Sequence, residues 1–153
     1  MLVPAEGEFR LNREADTTRL GAAIARELKR HEAVCLMGPL GAGKSTLARG
    51  LIRALTGPQE AVPSPTFTLV QTYEAPAFPV AHLDLYRLAK PEEAEELGLD
   101  EALDAGAAVI EWAEKLGHHL PADRLDVELS LDGECRRARL TPHGAWEERP
   151  LEF

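Results

Sequence analysis

The chain has 153 residues, enough for one compact domain with a sizeable core and too few for two. Its hydrophobic content of 44% and charged content of 28% are those of an ordinary soluble protein, and no apolar stretch or N-terminal signal pattern indicates a membrane or secreted protein. The net charge of −9 argues against a broad grip on a nucleic-acid backbone, and a cytoplasmic protein is expected.

The first predicted element is an amphipathic helix. Asp16 is its predicted N-cap, because a short acidic side chain can accept hydrogen bonds from free backbone N–H groups. Leu20, Ile24 and Leu28 recur at helical spacing and form one apolar stripe, and the helix is predicted to end near His31.

The second feature is a phosphate-binding loop. Residues 38–45 read GPLGAGKS, a full G-x-x-x-x-G-K-S motif, between an apolar run at 33–37 and a segment of helical periodicity that stops at 57–58. In such a strand–loop–helix unit backbone N–H groups surround a polyphosphate, Lys44 supplies charge to the β- and γ-phosphates, and Ser45 supplies a hydroxyl for Mg²⁺. The predicted nucleotide-binding residues of the loop are Gly38, Leu40, Gly41, Ala42, Gly43, Lys44, Ser45 and Thr46.

The middle of the chain predicts two strands and two short helices. Residues 66–72 and 80–86 have strand-like composition and are separated by a proline-containing connection. Pro91 opens an acidic helical stretch that extends through Gly98, and a second short helix is predicted to end at Asp104.

The last third predicts a buried strand and a hairpin. The strand covers 107–112, and residues 125–131 and 135–141 alternate around a turn at Asp132-Gly133. Strands that alternate with helices, followed by a hairpin, predict an α/β fold with a mostly parallel central sheet and antiparallel additions.

Two carboxylates are candidates for the chemistry at the phosphate loop. Ligands of α/β sheets bind beyond the carboxyl ends of the strands, where Asp84 and Glu111 close two apolar runs. A charge there costs free energy unless it is paired or binds a metal, which favours catalytic and Mg²⁺-binding roles over simple strand ends that meet solvent. Which of the two positions the attacking water stays open.

Three nearby features have two interpretations each. The loop at 63–68 is stiff and rich in hydroxyls, so Thr66 or Thr68 could sense a γ-phosphate or its Mg²⁺, or the loop could be an ordinary proline-rich turn. His82 is predicted to pack behind the site rather than to act as a base. Trp112 could be a core aromatic or could face the nucleotide.

Six segments match motifs of one known family. They are GPLGAGKSTLARG at 38–50, SPTFTLVQTY at 64–73, HLDLYRL at 82–88, ELG at 96–98, IEWAE at 110–114 and LP at 120–121. The phosphate loop is shared with many enzymes, but SPTFTL followed by HLDLYRL and IEW is far more specific. The chain therefore resembles the TsaE (YjeE) family, the bacterial ATPases of tRNA threonylcarbamoyladenosine biosynthesis, over residues 14–141.

The resemblance implies a phosphate-loop NTPase-like three-layer sandwich, with residues 1–153 as one domain that binds ATP and Mg²⁺ and hydrolyses ATP slowly. It implies action with the transferase TsaD and its inactive paralogue TsaB, which attach threonylcarbamoyl to an adenosine beside the anticodon. Contact with tRNA is then indirect, through the complex, and hydrolysis is expected to reset that complex between turnovers. The free protein is expected to be a monomer.

Roles for residues near the phosphates follow from the matching motifs. The resemblance implies that Lys44 is the phosphate ligand, that Ser45 and Glu111 hold Mg²⁺, and that Asp84 is the Walker-B-type acid near the metal. Thr66 belongs to a switch-like loop with a catalytic role.

Roles at the adenosine follow in the same way. Glu14 and Thr17 match a Glu/Thr pair that borders the adenosine, and Arg136 is the best match for an arginine of the late hairpin. Arg137 and Arg139 compete with Arg136 for that match.

Other functions remain alternatives. A small-molecule kinase would need a second substrate pocket and usually an arginine-bearing lid, for which the chain is short. A non-catalytic regulatory module would use the same carboxylates, because groups suited to Mg²⁺ serve binding as well as hydrolysis. A GTPase is disfavoured because the sequence has no Asn-Lys-x-Asp segment to read guanine.

Overall fold

A computed structural model describes residues 1–65 and 69–153. The strands in these ranges are β1 (Leu2–Pro4), β2 (Gly7–Leu11), β3 (Ala33–Met37), β4 (Val70–Tyr73), β5 (Val80–Asp84), β6 (Ala107–Glu111), β7 (Arg124–Asp132), β8 (Cys135–His143) and β9 (Pro150–Glu152). The helices are α1 (Glu14–Glu27), α2 (Lys44–Thr56), α3 (Glu93–Glu96) and α4 (Leu99–Ala105), with 3₁₀ segments at Ala113–His119 and Gly144–Trp146.

The central sheet of the described residues has the strand order β2-β8-β7-β3-β6-β5-β4, and β1 pairs with β9 outside it. Strands β7, β3, β6 and β5 are parallel, whereas β8, β2 and β4 pair antiparallel with their neighbours. The predicted α/β fold with a mostly parallel sheet, antiparallel additions and a C-terminal hairpin is therefore confirmed.

The sheet has an apolar core on each face. Along β3, Val34 and Leu36 belong to the core under α1 and α2, while Ala33 and Cys35 belong to the core under α3, α4 and the first 3₁₀ segment. This alternation is the consequence of a strand buried on both faces. The result is the three-layer sandwich that the family resemblance implied.

Close packing of α1 against α2 positions the start of α1 beside the phosphate loop. A Cβ atom at Gly21 would lie 2.4 Å from the carbonyl oxygen of Leu47, so only glycine allows the helices to approach this closely. At the other end of the same contact, Thr17 Cγ2 lies 3.5 Å from the position that a Cβ of Gly43 would take.

The predicted bounds of the first helix were wrong at both ends. The N-cap is Arg13, and Asp16 is the third helical residue, whose carboxylate accepts a hydrogen bond from the backbone N–H of Arg13 at 3.1 Å. This bond is one half of a capping box, because the Arg13 side chain has no acceptor for the reciprocal bond. Asp16 therefore marks the first turn without being the cap. The helix ends at Glu27 rather than near His31, because the backbone becomes extended at Leu28.

Other boundaries differ by a few residues. Strand β5 ends at Asp84, because the Asp84 carboxylate accepts a hydrogen bond from the N–H of Tyr86 at 2.9 Å and closes a turn. In the hairpin, Asp132 pairs with Cys135, so the turn residues are Gly133 and Glu134 rather than Asp132 and Gly133. Of the strand predicted at 66–72, residues 66–68 lie outside the described residues.

Strands β1, β2 and β9 were not predicted. Among the described residues, no helix is long and apolar enough to span a membrane.

Candidate functional site

The phosphate loop connects β3 to α2 at the carboxyl end of the parallel strands. Helix α2 begins at Lys44, directly after Gly43, whose φ of 108° is a left-handed conformation that glycine adopts without strain. This geometry turns the chain from strand to helix and directs the free N–H groups at the start of α2 toward the loop.

Lys44 is held at this loop by three contacts. Its ammonium donates hydrogen bonds to the carbonyl oxygens of Gly38 at 2.5 Å and Pro39 at 2.8 Å, and lies 4.0 Å from the centre of the Trp112 ring. Burial lowers the pKa of Lys44, although the nearby carboxylates of Glu114, Glu111 and Asp84 oppose that shift. A phosphate group would compete with the two carbonyls for this cation.

A chain of hydrogen bonds connects Ser45, Glu111 and His82. The Ser45 hydroxyl donates to Oε1 of Glu111 at 2.9 Å, and Oε2 of Glu111 lies 2.6 Å from Nε2 of His82. Glu111 is 2% exposed and His82 is 1% exposed. The structure thus brings together the two residues predicted to hold Mg²⁺, which lie 66 positions apart in the sequence.

Asp84 faces the same cleft from the neighbouring strand. It lies in register with Glu111 across the β5–β6 pair and is 4% exposed. The cleft has a volume of about 350 Å³, and its wall includes Lys44, Ser45, Asp84 and Glu111. Its described wall therefore combines one cation with two carboxylates and several hydroxyl groups.

Aromatic side chains form another part of this wall. Trp112 and Tyr86 both line the cleft, and their ring centres are 5.0 Å apart. Trp112 has a φ of 60°, an unusual left-handed conformation for a bulky residue. Of its two predicted interpretations, the structure supports a position at the cleft.

A second pocket of about 250 Å³ adjoins the loop on the side of α1. It is lined by Glu14, Thr17 and Arg136, together with Gly41 and Thr46 of the loop region. The Arg136 guanidinium donates a hydrogen bond from Nε to the carbonyl oxygen of Gly41 at 3.0 Å. The three residues implied at the adenosine therefore do lie together beside the phosphate loop.

The other two arginines of the hairpin have different partners. Arg137 forms ion pairs with Asp132 at 2.9 Å and with Glu8 at 3.3 Å, and Arg139 pairs with Glu8. Of the three arginines that the sequence left in competition, Arg136 is the one that reaches the loop.

The remaining predicted loop residues divide into two groups. Those that line one or both pockets are Leu40, Gly41, Gly43, Lys44, Ser45 and Thr46. Ala42 is buried, and Gly38 contributes its carbonyl to Lys44. Thr66 and Thr68 lie outside the described residues.

The sequence reasoning missed several residues at the two pockets. Ser64 lines the larger cleft. It lies in the hydroxyl-rich loop at 63–68, in which the sequence pattern favoured Thr66 and Thr68. Leu11, Asn12 and Glu134 line the smaller pocket, and only prediction of β2 and the exact hairpin turn would have placed them there.

The donor atoms of the larger cleft fit Mg²⁺. A hydroxyl and carboxylates are hard oxygen ligands, and Mg²⁺ in nucleotide sites typically uses one or two carboxylates together with phosphate and water oxygens. In the described ranges, no group of three or more His, Cys, Asp and Glu side chains is arranged to hold a metal.

A family model described as "Threonylcarbamoyl adenosine biosynthesis protein TsaE" matches residues 11–139. The chain belongs to the TsaE family. A TsaE protein of Rickettsia bellii is 43% identical over 132 residues, which cover 86% of this chain and 92% of that protein. A TsaE protein of Aquifex aeolicus is 39% identical over 135 residues, which cover 87% of this chain and 94% of that one.

The fold of this TsaE family member also matches a solved structure. The crystal structure of Bacillus subtilis YdiB superposes with a TM-score of 0.75 and 26% identity, covering 94% of this chain and 87% of that one. Both TsaE relatives are named tRNA threonylcarbamoyladenosine biosynthesis proteins. The resemblance found in the motifs is confirmed, and it identifies this chain as a biosynthesis protein for that modification.

Proposed function

We propose that this chain is an Mg²⁺-dependent ATPase subunit of the cytoplasmic machinery that makes threonylcarbamoyladenosine in tRNA, and that it acts with TsaD and TsaB. The observation that carries the ATPase proposal is the 2.9 Å hydrogen bond between Ser45, at the start of α2, and Glu111, at the end of β6. That contact joins the hydroxyl of a phosphate loop to a buried carboxylate, and such a pair of groups holds Mg²⁺ in phosphate-loop NTPases.

In the proposed hydrolysis, some residues of the chain bind the phosphates and Mg²⁺, and a carboxylate accepts a proton. Lys44 exchanges the carbonyls of Gly38 and Pro39 for phosphate oxygens, and the N–H groups of the loop bind the same phosphates. Ser45 and Glu111, with Asp84 beside them, would hold Mg²⁺. When bound, this ion neutralises charge that develops on the phosphoryl group.

The reaction is an attack by water on the γ-phosphorus. A new P–O bond forms to the water oxygen, the bond from the γ-phosphorus to the β–γ bridging oxygen breaks, and the products are ADP and inorganic phosphate. A carboxylate of the cleft, Asp84 or Glu111, orients the water and accepts its proton.

The experiment that tests this function is phosphate release by wild type and Glu111→Gln. Loss of the carboxylate is expected to leave nucleotide bound but to slow release by at least about tenfold, the range for a lost catalytic or metal-holding group. The matched variant Asp84→Asn separates the two carboxylates. A Glu111→Gln protein that releases phosphate at the wild-type rate would show that Glu111 is structural and that Asp84 has the role.

The same assay separates the alternatives. A regulatory module would bind ATP but release no phosphate, alone or with TsaD and TsaB. A kinase would consume ATP only when a small-molecule acceptor is added, and the acceptor would gain the phosphate.

A further inference from the structure

His82 lies in direct contact with the site but has had no role assigned to it. Alternation along β5 places it on the same face as Asp84, the face covered by α1 and α2. Its Nε2 atom lies 2.6 Å from Oε2 of Glu111, and the side chains of both residues are almost completely buried.

The donor in this contact is His82. An ionised carboxylate oxygen only accepts, so the contact assigns the hydrogen to Nε2 of His82. Glu111 thus has one oxygen bonded to His82 and the other bonded to Ser45, at 2.6 and 2.9 Å. Because each oxygen of Glu111 accepts one of these hydrogen bonds, the two bonds together fix the plane of the carboxylate. Oε1 of Glu111 therefore faces the start of α2.

Packing alone does not account for this residue. Within the described ranges, Nδ1 of His82 is buried and has no hydrogen-bond partner. A buried polar atom without a partner costs free energy, and an apolar side chain of similar size at this position would avoid that cost. The contact that offsets the cost is the one with Glu111.

We propose that His82 is a positioning residue for metal binding, which holds Glu111 so that Oε1, beside Ser45, is the oxygen presented to the ion. This inference rests on the proposed function, since it assigns a role at the same metal site. Partners that orient a metal-binding side chain typically change metal affinity by about 10–100-fold when they are removed.

The test uses Mn²⁺ as a spectroscopic substitute for Mg²⁺. Binding of Mn²⁺ to the full-length protein with saturating ADP is followed by electron paramagnetic resonance, and ADP binding in EDTA is measured by calorimetry. His82→Leu is expected to weaken Mn²⁺ binding about tenfold or more and to leave metal-free ADP binding unchanged.

Two further variants separate the hydrogen bond from packing. His82→Gln keeps an N–H donor two bonds beyond Cγ, as in histidine, and is expected to restore most of the Mn²⁺ affinity. His82→Asn has its amide nitrogen one bond closer to the backbone and is expected to behave like His82→Leu. His119→Leu, at an exposed histidine, is the control and should match wild type.

A double-mutant cycle shows whether His82 acts through Glu111. In a Glu111→Gln background, His82→Leu should cause no further loss of Mn²⁺ affinity. A full additional loss in that background, or wild-type affinity in both His82→Leu and His82→Asn, would overturn the inference. If wild type with ADP binds no more Mn²⁺ than ADP alone, the proposed metal-dependent function fails instead. His82→Asn keeps the test valid if His82→Leu does not fold.

Discussion

Among three arginines on one strand, side-chain alternation determines which one reaches the phosphate loop. Arg136 continues the face of β8 that carries the buried Ala138 and Leu140, the face covered by α1 and α2. Arg137 and Arg139 lie on the opposite face of β8, where both form ion pairs with Glu8. The phosphate loop leads into α2, so only Arg136 can reach it.

This geometry predicts different effects for two substitutions that remove the same charge. Arg136→Ala is expected to weaken MgADP binding by about tenfold, the cost of a lost hydrogen bond to a charged group at the site. Arg139→Ala is the matched control and should bind MgADP within about twofold of wild type, because exposed ion pairs contribute little. Calorimetric titration measures both. Equal losses in the two variants would indicate a general effect of surface charge and would remove Arg136 from the pocket.

Lys44 is expected to serve binding rather than stability. Lys44→Ala should weaken MgATP binding by at least about tenfold, because it removes the cation that meets the phosphates. Burial lowers the pKa of Lys44 below its ordinary 10.5, so the unfolded chain holds the proton more strongly than the folded chain does. The charged side chain therefore costs stability below its folded-state pKa, and this cost disappears as the pH rises past 10.5.

At neutral pH, Lys44→Ala should accordingly melt at a temperature no lower than that of wild type. Differential scanning calorimetry with Lys90→Ala as an exposed control checks this. A strongly lowered melting temperature would show that the contacts of Lys44 to its loop stabilise the fold. Near-normal MgATP affinity in a folded Lys44→Ala protein would remove Lys44 from the site.

At the scale of elements, the sequence predicts buried strands well and edge strands poorly. Strand β3 is an apolar run buried on both faces, which is visible without any partner. Strand β2 reads GEFRL and has exposed Glu8 and Arg10, so only pairing with β8 distinguishes it from a loop. Charged residues are common on edge strands because they prevent pairing with other chains. The same residues interrupt the apolar alternation by which a strand is recognised in a sequence.

Some contacts of the candidate site could be predicted from the sequence, and others could not. Ser45, Asp84 and Glu111 could be brought together from the sequence, because the carboxyl ends of parallel strands meet at one edge of the sheet. The contact of His82 with Glu111 could not, since it depends on the lateral distance between β5 and β6 and on side-chain rotamers. Choosing Arg136 required knowledge of which face of β8 is covered by helices.

A buried ion pair joins the C-terminal segment to the connection between α1 and β3. Arg149 donates to both carboxylate oxygens of Glu32, at 2.7 and 2.8 Å, and also to the backbone carbonyl of Glu27 at 2.9 Å. The guanidinium lies 4.4 Å from the centre of the Trp146 ring. The hydrogen bonds that Arg149 donates to Glu32 raise the pKa of Arg149 further above its usual range. These contacts hold β9 and the second 3₁₀ segment against the core.

Removal of one member of this pair should therefore destabilise the protein. Arg149→Ala is expected to lower the free energy of unfolding by about 3 kcal/mol or more, because it leaves a buried carboxylate without its partner. Arg137→Ala, which breaks exposed pairs with Glu8 and Asp132, should cost less than about 1 kcal/mol. Urea unfolding followed by circular dichroism compares the two. A loss for Arg149→Ala as small as that for Arg137→Ala would show that the pair adds nothing measurable.

At the scale of the whole molecule, the described wall of the larger cleft has a single basic residue for the proposed hydrolysis. Among the described residues of its wall, Lys44 is the cation, and no arginine is present. Phosphoryl transfer develops charge that many NTPases neutralise with an arginine, often supplied by a partner protein. Arg87 follows Tyr86 of the cleft in sequence, but it is exposed and is not among these wall residues. For the hydrolysis proposed above, this charge pattern favours slow turnover by the chain alone and stimulation by a partner.

The chain alone is therefore expected to release phosphate slowly, and the TsaD–TsaB pair should accelerate release, by as much as about 10³-fold if it contributes an arginine. If hydrolysis resets the complex, Glu111→Gln should support one round of tRNA modification and then stop, whereas wild type supports many. The measurement is modified tRNA per complex over time, with wild type, with Glu111→Gln and with neither. Arg139→Ala is the control that should match wild type, since its charge lies away from both pockets. Many rounds of tRNA modification with a hydrolysis-deficient Glu111→Gln protein would contradict the resetting role. Phosphate release that is unchanged by TsaD–TsaB would show that the partners supply no positive charge for the reaction.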